Sequence, residues 1–511
     1  MSSAAVRIRA GWVHRVLPGR PATGILVAIT VAWVALLTVW ALTTPPGSAL
    51  AEANTVDGAF RIALRGTWPA DGQLHALNAT RWILAEGFAT PATTHGSIAE
   101  LLAAHPGDAP DRNVAGQDPV AGYWLSAVVL RVAGWASLRW DEAVMLLRAI
   151  NIVLLAPLPM LVFATARRFS LSPVTAAMTP VLLFTVPQLA QTGGTANMLA
   201  PVTLLSAIAV WLGARLVTGD RSWWTSTAVA LVAGVAMTIS YSGLLVALFA
   251  LVCLVFAQGP GLRRKLIDVG VVIVISGVSL VSVLQQYLAQ VHRLGLGTAN
   301  TAAAIPQEYT LGNAIDGQWS GLSTRFWGSL GRDGWLLTSP LSAFLTVGAL
   351  ALACWALLRR EPALRRAWPL LTWSGLVVGA ALLSGIIASR NARLVMTGDG
   401  RQLDLAVTAL VTVIAITAVS LTSSPGQARG IARIATVGSP IIAAYGLSVA
   451  YQGAYEATHF AVSKGGLSAM TAISPFGPVG IALAVLVWVA ATVAAVVLVV
   501  RATRLRSELQ G

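Results

Sequence analysis

The chain reads as an all-α integral membrane protein crossing the bilayer about twelve times, and three observations predict this. Hydrophobic residues make up 56% of the 511 and charged residues only 11%, a balance with too little polar surface for a water-soluble domain. Apolar runs long enough to cross ~30 Å of hydrocarbon recur along the sequence. The basic residues fall in short clusters between those runs, which is how cytoplasmic loops look.

The first element is a basic arm, residues 1–23, carrying Arg7, Arg9, Arg15 and Arg20, and it is expected to stay in the cytoplasm. The apolar run from Gly24 to Thr43 follows. Ser48-Ala49-Leu50-Ala51 looks like a signal-peptide cleavage site, but the run before it exceeds a normal signal core, so the first helix is read as retained. Further spans are expected within 146–166, 173–190, 197–214, 223–240, 242–258, 266–288, 337–358, 368–389, 402–423, 434–452 and 478–500. Residues 24–511 thus form one polytopic membrane domain.

The stretch Val120 to Leu138 is nearly long enough to cross as well, and charge arbitrates. If it lies along the membrane as an amphipathic juxtamembrane helix, the loops at 166–172, 215–222, 259–265, 359–366, 424–433 and the tail after 500 carry 16 Arg/Lys; the opposite loops from 289 onward carry seven. Positive charge resists translocation, so the loops with 16 are placed inside. Both termini are then cytoplasmic. A large first outer loop, 44–145, and a second, 289–336, face outward with shorter loops at 390–401 and 453–477.

The formal net charge of +14 is accounted for by those loops, and nucleic acid is excluded as a partner. The lipid bilayer is the partner that composition demands. Cys253 and Cys354, the only cysteines, sit in apolar stretches, so neither a disulfide framework nor a cysteine metal site is available. Arginine far outnumbers lysine, present only as Lys265 and Lys464, a bias of high-GC bacterial genomes.

Candidate chemistry gathers in the outer loops. Trp68-Pro-Ala-Asp71-Gly-Gln-Leu-His75 precedes a helix-like stretch through Trp82, Ile83 and Leu84 to Gly87. Four residues apart on one helix face, Asp71 and His75 could share a divalent metal or a proton-transfer task; as an N-cap acid beside a solvated histidine they would do neither. Asp118-Pro-Val-Ala-Gly-Tyr123-Trp124 sets an acid before an aromatic pair, either a binding element or a turn with an interfacial belt. Arg148, inside an apolar run, must snorkel or find a carboxylate.

Arg325-Phe-Trp327-Gly-Ser-Leu-Gly-Arg332-Asp333-Gly-Trp335 mixes aromatics, glycines and cations in a way that suits a sugar or a lipid headgroup. Arg390, Arg393 and Arg401 cluster on the outer side, where positive residues are otherwise scarce. They read as a phosphate site or as contacts to anionic headgroups.

Taken in this order, the motifs resemble the GT-C superfamily of polyprenyl-phosphate-sugar-dependent glycosyltransferases. Pro69-Ala-Asp71-Gly-Gln-Leu-His75 and the helix ending in Glu86-Gly87 resemble its acid motif and following amphipathic helix. Pro119-Val-Ala-Gly-Tyr-Trp124 is similar to the matching stretch of bacterial aminoarabinose transferases of lipid A. Arg148-Ala-Ile-Asn and Ala166-Arg-Arg168 look like the family's second span, while Phe326-Trp-Gly, Gly334-Trp335 and Gly400-Arg401 resemble an uncharacterised bacterial branch. The likeness covers roughly residues 20–425. Many members have two adjacent acids where this chain has Asp71-Gly72, and the residue before the loop proline is Asp118, which leaves metal use and catalytic competence open.

The resemblance implies a GT-C-like fold in a bacterial plasma membrane. It implies inverting transfer of a sugar from a polyprenyl-phosphate donor to a cell-envelope glycan, lipid or protein on the outer face. Asp71 takes the general-base role by motif match, with Asp118 and His75 as further catalytic candidates. Arg325, Trp327, Arg390, Arg393, Arg401 and Tyr123 are the donor- or substrate-binding candidates. No resident cofactor is called for; a divalent metal, with His75 as its candidate ligand, stays open. A secondary transporter or flippase for an envelope precursor and a non-catalytic membrane subunit are the alternatives, and transfer from a lipid-linked sugar separates all three.

Overall fold

The computed structural model describes residues 20–508 apart from 50, 69–73, 87–91, 114–118, 170, 221, 259–260, 295–303, 332–333, 360 and 457–460. Among these residues the architecture is helical, with two small two-stranded sheets. The first helix, α1 (Arg20–Thr43), has 24 residues, about 36 Å at the helical rise.

A loop domain comes next, built from α2 (Glu52–Arg65), β1 (His75–Leu77), α3 (Asn78–Ala85), α4 (Ile98–Ala104), β2 (Asp108–Arg112) and α5 (Ala121–Val132). It has its own apolar core, with Phe60, Ile62, Leu77, Ile83, Ile98, Tyr123, Leu130 and Trp140 among its residues. The helix α5 has 12 residues, about 18 Å against ~30 Å of hydrocarbon, before Gly134 turns the chain in the left-handed region.

The span expected at 146–166 is two helices, α6 (Trp140–Leu155) and α7 (Leu158–Arg168). Pro159 has no N–H to offer the Leu155 carbonyl one turn back, so the helical ladder breaks there. The indole of Trp33 on α1, fully buried, donates to that carbonyl at 3.0 Å. A proline defect in one span is thus satisfied by a tryptophan of another.

The span expected at 173–190 is broken. Instead α8 (Pro173–Met178) runs into a 3-10 turn over 179–185, and α9 (Pro187–Gly194) leaves at 81°. Pro180 and Pro187 each delete a ladder donor, and Pro187 also drives Val186 out of helical geometry. All eight residues of α9 are buried.

The bundle continues with α10 (Leu199–Val217), α11 (Trp223–Ile239), α12 (Gly243–Phe256) and α13 (Leu262–Leu294). Beyond β3 (Ala304–Glu308) come α14 (Leu311–Gly328), α15 (Ser339–Leu358), α16 (Pro362–Ala392) and β4 (Leu394–Met396), which pairs antiparallel with β3. A 3-10 turn over Gly400–Ala406 leads into α17 (Val407–Ser420), followed by α18 (Pro425–Tyr455), α19 (Lys464–Ile473) and α20 (Gly477–Glu508), which packs against α1.

Among the described residues nine helices are long and apolar enough to cross a membrane, ten with the bent α8–α9 pair, while α11 and α12 are shorter apolar helices. The stretch read as a second loop, 289–336, is largely ordered as the end of α13, β3 and α14.

Candidate functional site

In the loop domain, one face of α2 organises the rest. Arg61 and Arg65, one turn apart, both bond Asp108 of β2, at 2.8 and 3.1 Å, and Arg61 also donates to the His75 carbonyl of β1. One turn earlier, Asp57 accepts the Leu77 N–H at 2.7 Å and the Asn113 amide. The Asn113 N–H in turn donates to the Leu74 carbonyl. These bonds clamp the β1–β2 ladder onto α2.

The electrostatics of the clamp are split. Burial pushes the Asp57 carboxyl above its ordinary range, against the donors around it and the charge of Arg61. For Asp108, burial also pushes upward but is outweighed by hydrogen bonds and charge from Arg61 and then Arg65, so its carboxyl is held below the usual range.

The ladder is antiparallel, pairing His75 with Arg112 and Leu77 with Asp108, so the chain enters β1 and leaves β2 at the same end. Asp71 precedes that entry and Asp118 follows that exit. Both acids lie outside the described residues. His75 is described, and it is a strand residue whose Nδ1 sits 3.2 Å from the Pro110 carbonyl. The expectation that it shares a helix face with Asp71 is corrected: the helix begins only at Asn78, because pairing with β2 and the bond from Arg61 hold 75–77 extended. No group of three His, Cys, Asp or Glu side chains among the described residues could hold a metal ion.

Tyr123 is buried, at 2% exposure, and stacks on Trp68 with ring centroids 5.0 Å apart. A Cβ at Gly58 would come within 2.9 Å of its ring. Tyr123 therefore fastens α5 to α2 in the resting structure.

Arg148 finds its carboxylate. It makes two bonds of 2.8 Å to Glu52 at the head of α2, with both side chains buried, and donates also to the carbonyls of Ala41 and Thr44. Glu52 completes its shell with the N–H groups of Gly47 at 2.8 Å and Ala196 at 3.0 Å. With four donors it is an anchor that ties α1, α2, α6 and the α9–α10 junction together, not a free base.

The second half of the site is built around α9, whose three long polar side chains each reach a different neighbour. Gln191 donates to the Leu330 carbonyl at 2.6 Å. Thr192 donates to Asp404 at 3.2 Å. With its amide turned to suit both partners, Gln188 donates to the Arg325 carbonyl and accepts from the Arg401 N–H at 3.0 Å. Gly400 makes the close approach feasible, since a Cβ there would collide with the backbone of Arg325 and Phe326.

The backbones of Arg325 and Arg401 are thereby brought together. Arg325 is half-buried and Trp327 is buried, its indole bonded to Thr346 at 2.7 Å. Arg401 is 7% exposed, and its guanidinium is bonded to Asp399 at 3.2 and 3.1 Å. Arg390 and Arg393 differ: both are exposed at the end of α16, where Arg393 caps the helix at φ 55°. The three-arginine group is thus one internal cation and two surface ones.

The two halves meet at residues 195–198. Asn151 of α6 donates to the carbonyls of Thr195 and Asn197 at 2.6 and 3.1 Å, Ala196 bonds Glu52, and Met198 fills the space over Gly122 of α5. Sequence reasoning passed over Glu52, Asp57, Gln188 and Asp404. The spacing of Asp57, Arg61 and Arg65 was a readable i, i+4 series, and Asp399 two residues before Arg401 was a readable partner; nothing local marked Gln188 or Asp404.

Residues 117–283 match the family described as dolichyl-phosphate-mannose-protein mannosyltransferase, which meets the resemblance to GT-C enzymes drawn from the motifs. No curated protein sequence matches. Among solved structures, ArnT from Cupriavidus metallidurans bound to undecaprenyl phosphate is 13% identical, with 90% of this chain and 75% of that one covered and a TM-score of 0.45. The apo oligosaccharyltransferase of Archaeoglobus fulgidus is also 13% identical, covering 83% and 56%, with a TM-score of 0.45.

Proposed function

We propose that the protein is a GT-C-type membrane glycosyltransferase that moves a sugar from a polyprenyl-phosphate donor to a cell-envelope glycan, lipid or protein at the outer face of the plasma membrane. The observation that carries this reading is the convergence at α9: Gln188 joins the backbones of Arg325 and Arg401, while the next turn of chain is bonded to the loop domain through Glu52. The family match over residues 117–283 supports it.

In this reading an acceptor hydroxyl loses its proton to a loop-domain carboxylate as its oxygen attacks the anomeric carbon. The bond from that carbon to the phosphate oxygen breaks, the configuration inverts, and the departing phosphate gathers charge that a fixed cation stabilises. Asp71 is the proposed base, and Asp118 is proposed beside it because the chain enters β1 and leaves β2 at the same end of the ladder. Arg401 is the proposed phosphate contact, held ready by Asp399, with Arg325 next to it. Trp327 and Tyr123 support the walls from within, and Arg390 and Arg393 meet headgroups. His75 remains the proposed ligand should a divalent metal assist.

A flippase is the second reading, favoured by the 81° break between α8 and α9 inside the bundle, a geometry transporters use. Purified protein supplied with a polyprenyl-phosphate sugar decides. Transfer with release of polyprenyl phosphate is expected, and Asp71→Asn should slow it ~100- to 10,000-fold with donor binding retained. Wild-type rates from both Asp71→Asn and Asp118→Asn would remove the assigned base, and movement of intact donor across the bilayer without transfer would favour the flippase. Dialysis against a chelator reads the metal requirement in the same assay.

A further inference from the structure

Five acids among the described residues are buried: Glu52, Asp57, Asp141, Asp268 and Asp404. Four have charged or amide donors. Glu52 has Arg148 and two backbone N–H groups, Asp57 has Leu77 and Asn113, Asp141 has Arg139, and Asp268 has Arg264. Asp404 is the exception. At 1% exposure, its Oδ2 meets only the Thr192 hydroxyl and its Oδ1 has no hydrogen-bond partner.

A carboxylate accepts and cannot donate, so an ionised Asp404 would leave a buried anion with one hydroxyl as its hydrogen-bond donor, an arrangement that proteins avoid by keeping the group neutral. The nearest cation does not relieve it, because the Arg401 guanidinium is bonded to Asp399. The elements packed against this turn add little charge: α9 and α17 contain no charged residue, and α10 has only Arg215, which is paired with Asp220. The helix α14 carries Asp316 and Arg325, and α16 carries Arg365, Arg366 and Arg390.

We propose that Asp404 is a proton-binding site inside the bundle, and that its neutral carboxyl keeps the Arg401 guanidinium available to the donor phosphate. The second clause rests on the donor reading above. Ionising Asp404, which lies within electrostatic reach of Arg401, would add a further carboxylate to those around that guanidinium, so that an arriving phosphate competes with one more anion.

The first test needs no donor. Thermal unfolding of the full-length protein in detergent is followed from about pH 5 to 9 for wild type and Asp404→Asn, which keeps the shape and stays neutral. The wild type should fall below the variant progressively as pH rises, with the two curves meeting in acid. Parallel curves would overturn the proton site. Should the variant not fold, infrared spectra of the wild type serve: a carboxylic-acid carbonyl band that Thr192→Val shifts supports the proposal, and the same spectrum in both proteins overturns it. If exchanging sodium for choline shifts wild-type unfolding but not that of the variant, the occupant is an alkali ion and the proton is excluded.

The second test measures polyprenyl-phosphate binding against pH. Wild-type affinity should fall about tenfold between pH 7 and 9 while Asp404→Asn stays flat, a loss of the size expected for one charge added inside the protein at an effective dielectric of ~20. A difference in unfolding with no difference in binding would overturn the link to Arg401. Binding by neither protein at any pH would instead overturn the donor reading.

Discussion

The Arg148 guanidinium and the Glu52 carboxylate form a bidentate pair 96 residues apart in sequence, both bonds at 2.8 Å and both side chains out of contact with solvent. Removing one partner leaves the other charged and buried, which costs more than the pair contributes. Glu52→Ala should therefore destabilise the protein by about 3–5 kcal/mol, seen as a lowered unfolding midpoint. The double variant Glu52→Leu/Arg148→Met should recover most of that loss. Equal destabilisation by single and double variants would show that the pair is not the anchor.

The two acids of the α2 clamp should respond to pH in opposite senses. The Asp57 carboxyl is raised in the fold by burial, so its contribution is fully present below the unfolded value and is lost as pH rises through the folded one. The Asp108 carboxyl is lowered, so its contribution is present above the unfolded value and is lost as pH falls through the folded one. Asp57→Asn should flatten the alkaline side of a stability profile, and Asp108→Asn the acid side. Hydrogen exchange of the Leu77 amide, which Asp57 accepts, reports the clamp itself.

Gly400→Ala tests the α9 junction. The added methyl meets the backbone at Arg325 and Phe326, which cannot yield as a side-chain end would. A loss of ~1–3 kcal/mol is expected from such overpacking, together with weaker polyprenyl-phosphate binding because Arg401 is displaced. Normal binding in the variant would separate Arg401 from the donor.

Topology is checked by labelling. With Cys253 and Cys354 replaced by alanine, single cysteines at Ser137 and Ser172 flank α6–α7, a 29-residue span of about 43 Å along its axis. An impermeant reagent added outside should reach Ser137→Cys only. Labelling of both from one side would mean that α6–α7 does not cross.

What was legible in the sequence was local. Apolar run length depends on adjacent residues alone, so among the described residues nine of the twelve expected spans have a membrane-length helix close to where composition puts them, and Arg148 announced its need for a partner. The partner, Glu52, lies 96 residues away, a distance over which one sequence carries no pairing signal. Asp71 and His75 looked helical for a similar reason: the spacing was visible, whereas the strand that holds His75 extended begins only at Asp108. Pro159 and Pro187 marked the breaks in α6–α7 and α8–α9, but the 81° turn follows from packing around α9. Charge bias singled out Arg401 and could not foretell that it would be drawn inside beside Asp399.

The β1–β2 ladder gives residues 78–107 the character of a cassette. The Asn78 N–H donates to the Gly107 carbonyl across its base, and among the described residues its one other backbone mooring is to residues 138–140, through Ile98 and Gly96. A loop closed at its base transmits little of its length to the chain outside, since closure entropy grows only slowly with size. A change of chain length within the cassette should therefore leave the strands on α2 in register. Variation inside the cassette is thereby mechanically insulated from the end of the ladder at which the chain enters β1 and leaves β2.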